Sequence, residues 1–405
     1  MNANGNQYLA PKPHYDILDG LRGVASIMVV IFHLFETYNY RIGTQIVNHG
    51  YLAVDFFFVL SGFVVGYAYD ERLKTKQLST WAFFKRRLVR LHPMLIAGTL
   101  MGCMLFYFGD CEVLNLVGET PWYVLLGIAA LGILMIPVTA GMDIRGWAET
   151  YPINGPQWSL MLEYIANIVY CFVLHRLPKA ALIALTAIAA IFTIDLGLGI
   201  DLLGDMPMIT TPDGQTVSGY QGNFIGGWGI QGWQWHIALV RVSFPFLMGY
   251  LLSKLKLNVA IPGGFWWCSL AVIVLLAIPQ LGEGDTAIYN GIYETAVILF
   301  MFPLIVFAGK GSVIKGTKSH AFCKLIGELS YPLYITHYGF IYMQIAWATN
   351  HEDAPLSTHI FVAVSIFVLS IGTAYALLKL YDLPVRRWLT DHWLKKSGVK
   401  KNIAA

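Results

Sequence analysis

The chain has 405 residues, of which 56% are hydrophobic and only 13% charged, with a formal net charge of +3 and a mean hydropathy of +0.57. That composition excludes an ordinary soluble globular protein, and the small net charge excludes a nucleic-acid partner. Cys103, Cys111, Cys171, Cys268 and Cys323 are scattered without metal-ligand or disulfide spacing, so the cysteines read as small apolar fillers and no metal is expected.

Apolar runs near the length needed to cross a hydrocarbon core of about 30 Å recur along the chain. They place spanning helices at residues 17–37, 51–69, 90–109, 157–175, 179–199, 237–253, 264–281, 288–308, 325–348 and 359–379. The first fifteen residues are polar, with no cleavage-site pattern after the first apolar run, so that run is expected to remain as a helix. The segment Asp70–Arg90 carries Arg72, Lys74, Lys76, Lys85, Arg86, Arg87 and Arg90 and belongs on the cytoplasmic side. His175–Lys179, Lys254–Lys256, Lys310–Lys324 and the tail from Arg386 to Lys401 follow it, whereas the acidic loops Asp110–Glu119, Gly282–Asp285 and Glu352–Asp353 face outward.

These assignments agree only if an even number of crossings separates Arg90 from His175. Pro121–Ala140, with Gly127, Gly132 and Pro137, is then a re-entrant or interfacial segment. The predicted architecture is an all-α, polytopic integral-membrane helical bundle of about ten transmembrane helices with one candidate re-entrant segment and both termini cytoplasmic. Residues 1–385 form one membrane domain and 386–405 a basic cytoplasmic tail. No internal repeat is visible, and the Gly- and Trp-rich segment Asp201–His236 reads either as an interfacial loop or as a binding loop on the outside.

Ionisable side chains within spanning helices mark functional candidates. Arg22 and His33 stand eleven positions apart, within roughly 20° of one helix face and roughly 16 Å apart in depth. His33, Asp55, Glu163 and Arg241 all fall in the outer half by this topology, and are expected to meet in one outward-leaning cavity. A neutral His with a carboxylate on its second nitrogen is a competent general base, with an ordinary pKa of about 6.5. On the inner side Arg87 and Arg90 share a face at the start of the third helix, and read either as a positive-inside anchor or as a phosphate clamp. Tyr331, Tyr334 and His337 recur every three residues near a proline, Pro332, and line either a polar cavity or a packed seam. GxSxG, HExxH, Walker and GxGxxG patterns are absent, which favours direct base-assisted transfer over an acyl-enzyme hydrolase, a zinc protease or a nucleotide-driven pump.

Five segments in order, LDGLRGVASIMVVIFH, YLAVDFFFVLSGFVVG, FFKRRLVRLHP, QWSLMLEYIANIVY and LSYPLYITH, resemble the motifs of acyltransferase family 3, the integral-membrane sugar O-acyltransferases. They supply the Arg-to-His pair Arg22/His33, then Asp55 with Ser61 and Gly62, the RxxR pair Arg87/Arg90, Glu163, and His337. The resemblance implies transfer of an acyl group, acetyl by default, from acyl-CoA as co-substrate to a hydroxyl of a carbohydrate acceptor at a bacterial plasma (inner) membrane. Arg22, Arg87 and Arg90 would hold the CoA phosphates, His33 would deprotonate the acceptor, Asp55 or Glu163 would orient His33, and His337 would shape the site. Arg241 or Tyr334 would serve the oxyanion. Two departures stand out: Tyr164 replaces the second Glu found in many members, and no hydrolase-like domain follows the last helix. Acceptor handling is then expected to fall to the membrane part, the Asp201–His236 loop or a partner. The competing reading is a proton-coupled secondary transporter of an anionic solute, in which His33, Asp55 and Glu163 relay protons. An acyl-lipid flippase or a structural partner of an envelope assembly is a third.

Overall fold

A computed structural model describes residues 14–38, 47–108, 119–204, 206, 208–210, 216–218, 222–282 and 286–394. The expected acidic loop Asp110–Glu119 lies outside the described residues apart from Glu119. So do 283–285 of the second acidic loop, parts of the Asp201–His236 segment, Cys111 and the tail beyond Leu394.

The described residues are mainly helical, with one small hairpin among them. In order they form α1 (Asp16–Glu36), a 3₁₀ turn (Gly50–Leu52) leading into α2 (Ala53–Lys74), α3 (Thr80–Phe108), α4 (Trp122–Ile133), α5 (Gln157–Phe172), α6 (Lys179–Leu198) and strands β1 (Met208–Thr210) and β2 (Thr216–Ser218). There follow α7 (Gly232–Lys254), α8 (Gly264–Ala277), α9 (Ile288–Ala296) joined through a π turn to α10 (Phe302–Gly311), α11 (Thr317–Asn350), α12 (Leu356–Leu377), and after a second π turn α13 (Leu383–Leu389). The strands pair antiparallel with Ile209 opposite Val217.

Among the described residues, 8 helices are long and apolar enough to cross a membrane, which makes this a multi-pass integral membrane protein. The two other expected crossings miss that standard for opposite reasons. Helix α8 is apolar but has only 14 residues, about 21 Å at 1.5 Å per residue. Helix α11 has 34 residues and ample length, but its polar N-terminal third and its Tyr and His residues lower its hydropathy. The expected re-entrant stretch contains the 12-residue α4, too short to span. Its backbone reverses at Met135 (φ 60°), where Met135 O accepts a hydrogen bond from Tyr151 Oη at 2.9 Å.

The basic loops gather at one end of the bundle. Asp16 at the start of α1 lies 3.1 Å from His320 at the start of α11, and Asp70 near the end of α2 lies 2.9 Å from Lys254 at the end of α7. Helix α3 begins at Thr80, ten residues earlier than expected, so Arg87 and Arg90 stand inside it rather than at its start. The helical path also runs through residue 385 without a break, and Arg386 pairs with Asp382 at 3.1 Å.

The most extensive packing joins α1 to α11 and α2 to α7. In the second pair glycine makes the approach possible: a Cβ on Gly62 would lie 2.1 Å from Phe246 O, and one on Gly249 2.0 Å from Val59 O. Helices held this close by small residues gain van der Waals contact where lipid supplies no hydrophobic drive. The contact also sets Asp55 of α2 against Arg241 of α7.

Candidate active site

Two cavities lie between α1, α2, α3, α5 and α11. The inner one, about 490 Å³, opens at the basic end and is lined by Arg22, Arg87, Arg90, Glu163, His14 and Arg386, among others. The outer one, about 150 Å³, is lined by His33, Glu36, Glu149, Trp228, Arg241 and Tyr338, among others. Val54 and Tyr334 line both. The Tyr334 hydroxyl shares a 2.7 Å hydrogen bond with Ser159 Oγ of α5, and Phe57 packs edge-on to its ring. Tyr334 therefore stands at the partition between the cavities.

His33 projects from the last turn of α1. Its Nδ1 lies 2.6 Å from Glu36 Oε2, one helical turn on. An ionised carboxylate only accepts hydrogen bonds, so in the neutral imidazole the proton sits on Nδ1 and Nε2 carries the lone pair. Nε2 makes no protein hydrogen bond among the described residues. The ring is held by Tyr338 edge-on at 4.8 Å and by His337, stacked at 5.5 Å. His337 is fully buried, with Nδ1 3.1 Å from Leu333 O and 2.9 Å from Tyr334 O, and its Nε2 has no partner. Two carbonyl acceptors at Nδ1 fix the proton there and leave Nε2 as an acceptor.

Neither carboxylate expected to orient His33 does so; Glu36 takes that place. Asp55 is fully buried against Arg241, with Oδ2 2.7 Å from one guanidinium nitrogen and 3.2 Å from Nε. Two charges taken out of water at the α2–α7 contact have to pair with each other. Arg241 also donates to Gly226 O at 2.9 Å and Tyr51 O at 2.7 Å, and lies over the Trp158 ring at 5.3 Å. It lines the outer cavity as a clamp on two backbone segments.

Glu163 is not in the outer cavity. It lines the inner one, where it accepts hydrogen bonds from Arg87 and, at 2.8 Å, from Ser61 Oγ. The depth differs from expectation because α5 starts inside the bundle. Gln157, its first residue, is buried and contacts Thr99 at 3.3 Å, nine residues short of the outer end of α3 at Phe108, or about 14 Å below it. Helix α4 and its return segment fill the space above. The four groups expected in one cavity thus divide, with His33 and Arg241 outside the Tyr334 partition, Glu163 inside it, and Asp55 behind Arg241.

In the inner cavity Arg22 pairs with Asp19 at 2.9 Å and Arg87 with Glu163, while Arg90 has no ion pair among the described residues. Arg86, next to Arg87, points away from the cavity. His14 Nε2 lies 2.9 Å from Asp19. That hydrogen bond, partly opposed by burial, raises His14 to about 9, which keeps it cationic at neutral pH. Tyr164, at the position of the missing second carboxylate, reaches His92 at 3.4 Å.

Sequence reasoning missed His14, Glu36, Glu149, Ser159 and Trp228. Glu36 carried a local signal in its place three residues after His33 on the same helix face, Ser159 lay within the QWSLMLEYIANIVY motif, and Trp228 lay within the Gly- and Trp-rich segment read as a candidate binding loop. His14 and Glu149 reach the cavities through segments that carried no such signal.

The family described as "Acyltransferase domain" matches residues 15–379. "Protein 2 in picA locus" of Rhizobium radiobacter is 32% identical over 167 residues, covering 40% of this chain and 83% of that protein. "O-acetyltransferase OatA" of Staphylococcus aureus (strain NCTC 8325 / PS 47) is 25% identical over 340 residues, 80% of this chain. The match spans only 50% of that relative's length. No solved structure matches. With a family match over most of its length and the five motifs on the walls of two adjoining cavities, the chain belongs to the membrane acyltransferase family 3.

Proposed function

We propose that the protein is a membrane O-acetyltransferase that moves an acetyl group from acetyl-CoA, bound from the cytoplasm, to a hydroxyl of a carbohydrate acceptor on the outer side. The observation that carries this reading is the division of labour across Tyr334, with cationic Arg22, Arg90 and His14 on one side and the His33–Glu36 pair on the other. Family membership and the O-acetyltransferase relative support it.

In this reading the CoA phosphates sit against Arg22, Arg87, Arg90 and His14, and the pantetheine arm rises between α1, α2, α5 and α11 until the thioester passes Tyr334. Guanidinium groups suit phosphate because their fork of donors matches its oxygens. The acceptor hydroxyl meets His33 Nε2, which takes its proton as the oxygen attacks the thioester carbon. The tetrahedral oxyanion accepts a hydrogen bond from Tyr334 Oη, with Arg241 lending positive charge. Collapse breaks the C–S bond, the proton passes from His33 to the departing sulfur, and ester and free CoA thiol result. Glu36 stabilises the imidazolium in between, and His337 holds the ring plane of His33.

The topology that goes with this chemistry has about ten crossings, α8 and α11 included, both termini cytoplasmic, and a bacterial plasma membrane as the location. The test follows thiol release from acetyl-CoA by purified protein in lipid nanodiscs, with pooled envelope glycans as acceptor, for the native chain and His33→Ala. Release that depends on glycan and falls by about 10²- to 10⁴-fold in the variant is expected. Acetyl-CoA left intact by the native protein would overturn the reading in favour of solute transport.

A further inference from the structure

Two loops on the outer side are fastened to each other through their backbones. Thr150 N–H donates to Trp228 O at 2.9 Å, Ile230 N–H donates to Ala148 O at 2.8 Å, and Glu149 faces Gly229 across an antiparallel bridge. Ala148 holds φ at 53°, with its N–H donating to Asp143 Oδ2 at 2.7 Å, so the base of the Glu149 side chain is tied down. The fastening joins two loops that each contribute a residue, Glu149 and Trp228, to the lining of the cavity that contains His33.

Glu149 is only 5% exposed, yet it is incompletely satisfied. Its Oε2 accepts a hydrogen bond from Tyr342 Oη at 2.6 Å. Arg145 is drawn off to the Tyr342 ring, 3.4 Å from its centroid, and donates to Pro152 O; it forms no ion pair with Glu149 among the described residues. Oε1 has no protein donor among the described residues. Oε1 opens on the cavity and can accept from a donor that enters it.

We propose that Glu149 and Trp228 form an acceptor subsite for a pyranose-type sugar ring, with Trp228 against its apolar C–H face and Glu149 Oε1 accepting a hydrogen bond from a ring hydroxyl. This rests on the acyl-transfer reading above and adds to it what selects the acceptor. A sugar ring presents an apolar face and a hydroxyl-bearing edge at right angles, and a tryptophan and a carboxyl lining one cavity supply a partner for each. An acyclic alcohol or a lipid leaves one of the two unmatched. Glu149 then acts as a positioning residue: with one hydroxyl held on the loop side, His33 Nε2 meets a fixed neighbour on the same ring, which sets the site of acylation.

The test uses the full protein in nanodiscs and saturation-transfer NMR with methyl β-glucopyranoside, methyl N-acetyl-β-glucosaminide and, as acyclic control, sorbitol. At least one pyranoside is expected to bind through its ring C–H groups, with Kd raised by about tenfold in Glu149→Ala and in Trp228→Ala and partly restored in Glu149→Gln, whose amide oxygen still accepts. Acetyl-CoA binding, followed by thermal shift, is expected to stay as in the native chain and so to report an intact fold. Failure to bind either pyranoside, equal binding of sorbitol, or an unchanged Kd in both alanine variants would overturn the subsite. Pyranoside binding with these losses but no acetyl-CoA turnover would support the subsite and remove the transferase reading instead.

Discussion

His33 and Glu36 form a dyad within a single turn of α1, with Nδ1 2.6 Å from the carboxylate and the ring half-covered by Tyr338 and His337. Both members come from one helix, so their spacing is set locally, one turn apart. Glu36 is 44% exposed on its side chain, so its effect on His33 is tautomeric and orientational more than a strong electrostatic pull.

Replacing Glu36 by Gln is therefore expected to lower kcat by about 10- to 100-fold, a fraction of the general-base contribution, while leaving KM for acetyl-CoA unchanged. An amide can present either its oxygen or its NH₂ to Nδ1, and the second choice puts the lone pair on the wrong nitrogen. Steady-state thiol release at saturating donor measures this. An unchanged kcat would mean that another group sets the tautomer.

The Asp55–Arg241 pair is buried on both sides and ties α2 to the Gly226 and Tyr51 backbones. Removing one charge leaves the other stranded, so Asp55→Ala is expected to destabilise by about 3–5 kcal/mol. The double variant Asp55→Leu/Arg241→Met should recover much of that stability but lose the fixed roof of the outer cavity, and with it transfer activity. Thermal unfolding in detergent beside thiol release separates the two effects.

His14 lies outside the spanning helices at the mouth of the inner cavity, facing Asp16, Asp19, Arg22 and His320. Its raised pKa means that its ion pairs stabilise the fold fully below its ordinary value of 6.5, and that this contribution fades as pH rises through about 9. Affinity for adenosine 3′,5′-bisphosphate is expected to fall as pH climbs through about 9 in the native chain. In His14→Gln it should already be weaker by about two- to fivefold at neutral pH and should vary less over that range. Calorimetric titration at several pH values tests the slope.

Burial raises Glu149 from 4.5 to about 7, the nearby Arg145 charge pulling the other way. A carboxyl raised in the folded state favours folding while protonated, so this contribution is lost between pH 4.5 and about 7 and is absent above. Native protein should lose about 2–3 kcal/mol across that window, and Glu149→Gln should flatten the curve. Denaturant unfolding at pH 5 and pH 8 gives the comparison. Equal pH dependence in the two proteins would place the titrating group elsewhere.

Composition and linear pattern carried the membrane class, most helix positions and the clustering of basic loops. Those features depend on solvent transfer and on loop charge, which act on each segment separately. The five motifs carried family membership for the same reason, since short runs such as LSYPLYITH keep their neighbours in any fold. Depth along the bundle was not legible from a helix's own sequence. Glu163 was misplaced because α5 starts below the short α4 and its return, and an apolar run does not record what sits on top of it.

Pairing belonged to the tertiary structure. Asp55 could face His33 or Arg241 as far as its own helix is concerned, and the choice was made by the glycine-mediated contact of α2 with α7. Glu149 and Trp228 line one cavity from two loops that share no sequence pattern and are joined by a backbone bridge. Local periodicity determines what each helix presents, whereas a site made of loop and helix ends is decided by close packing and by the need of every buried charge for a partner.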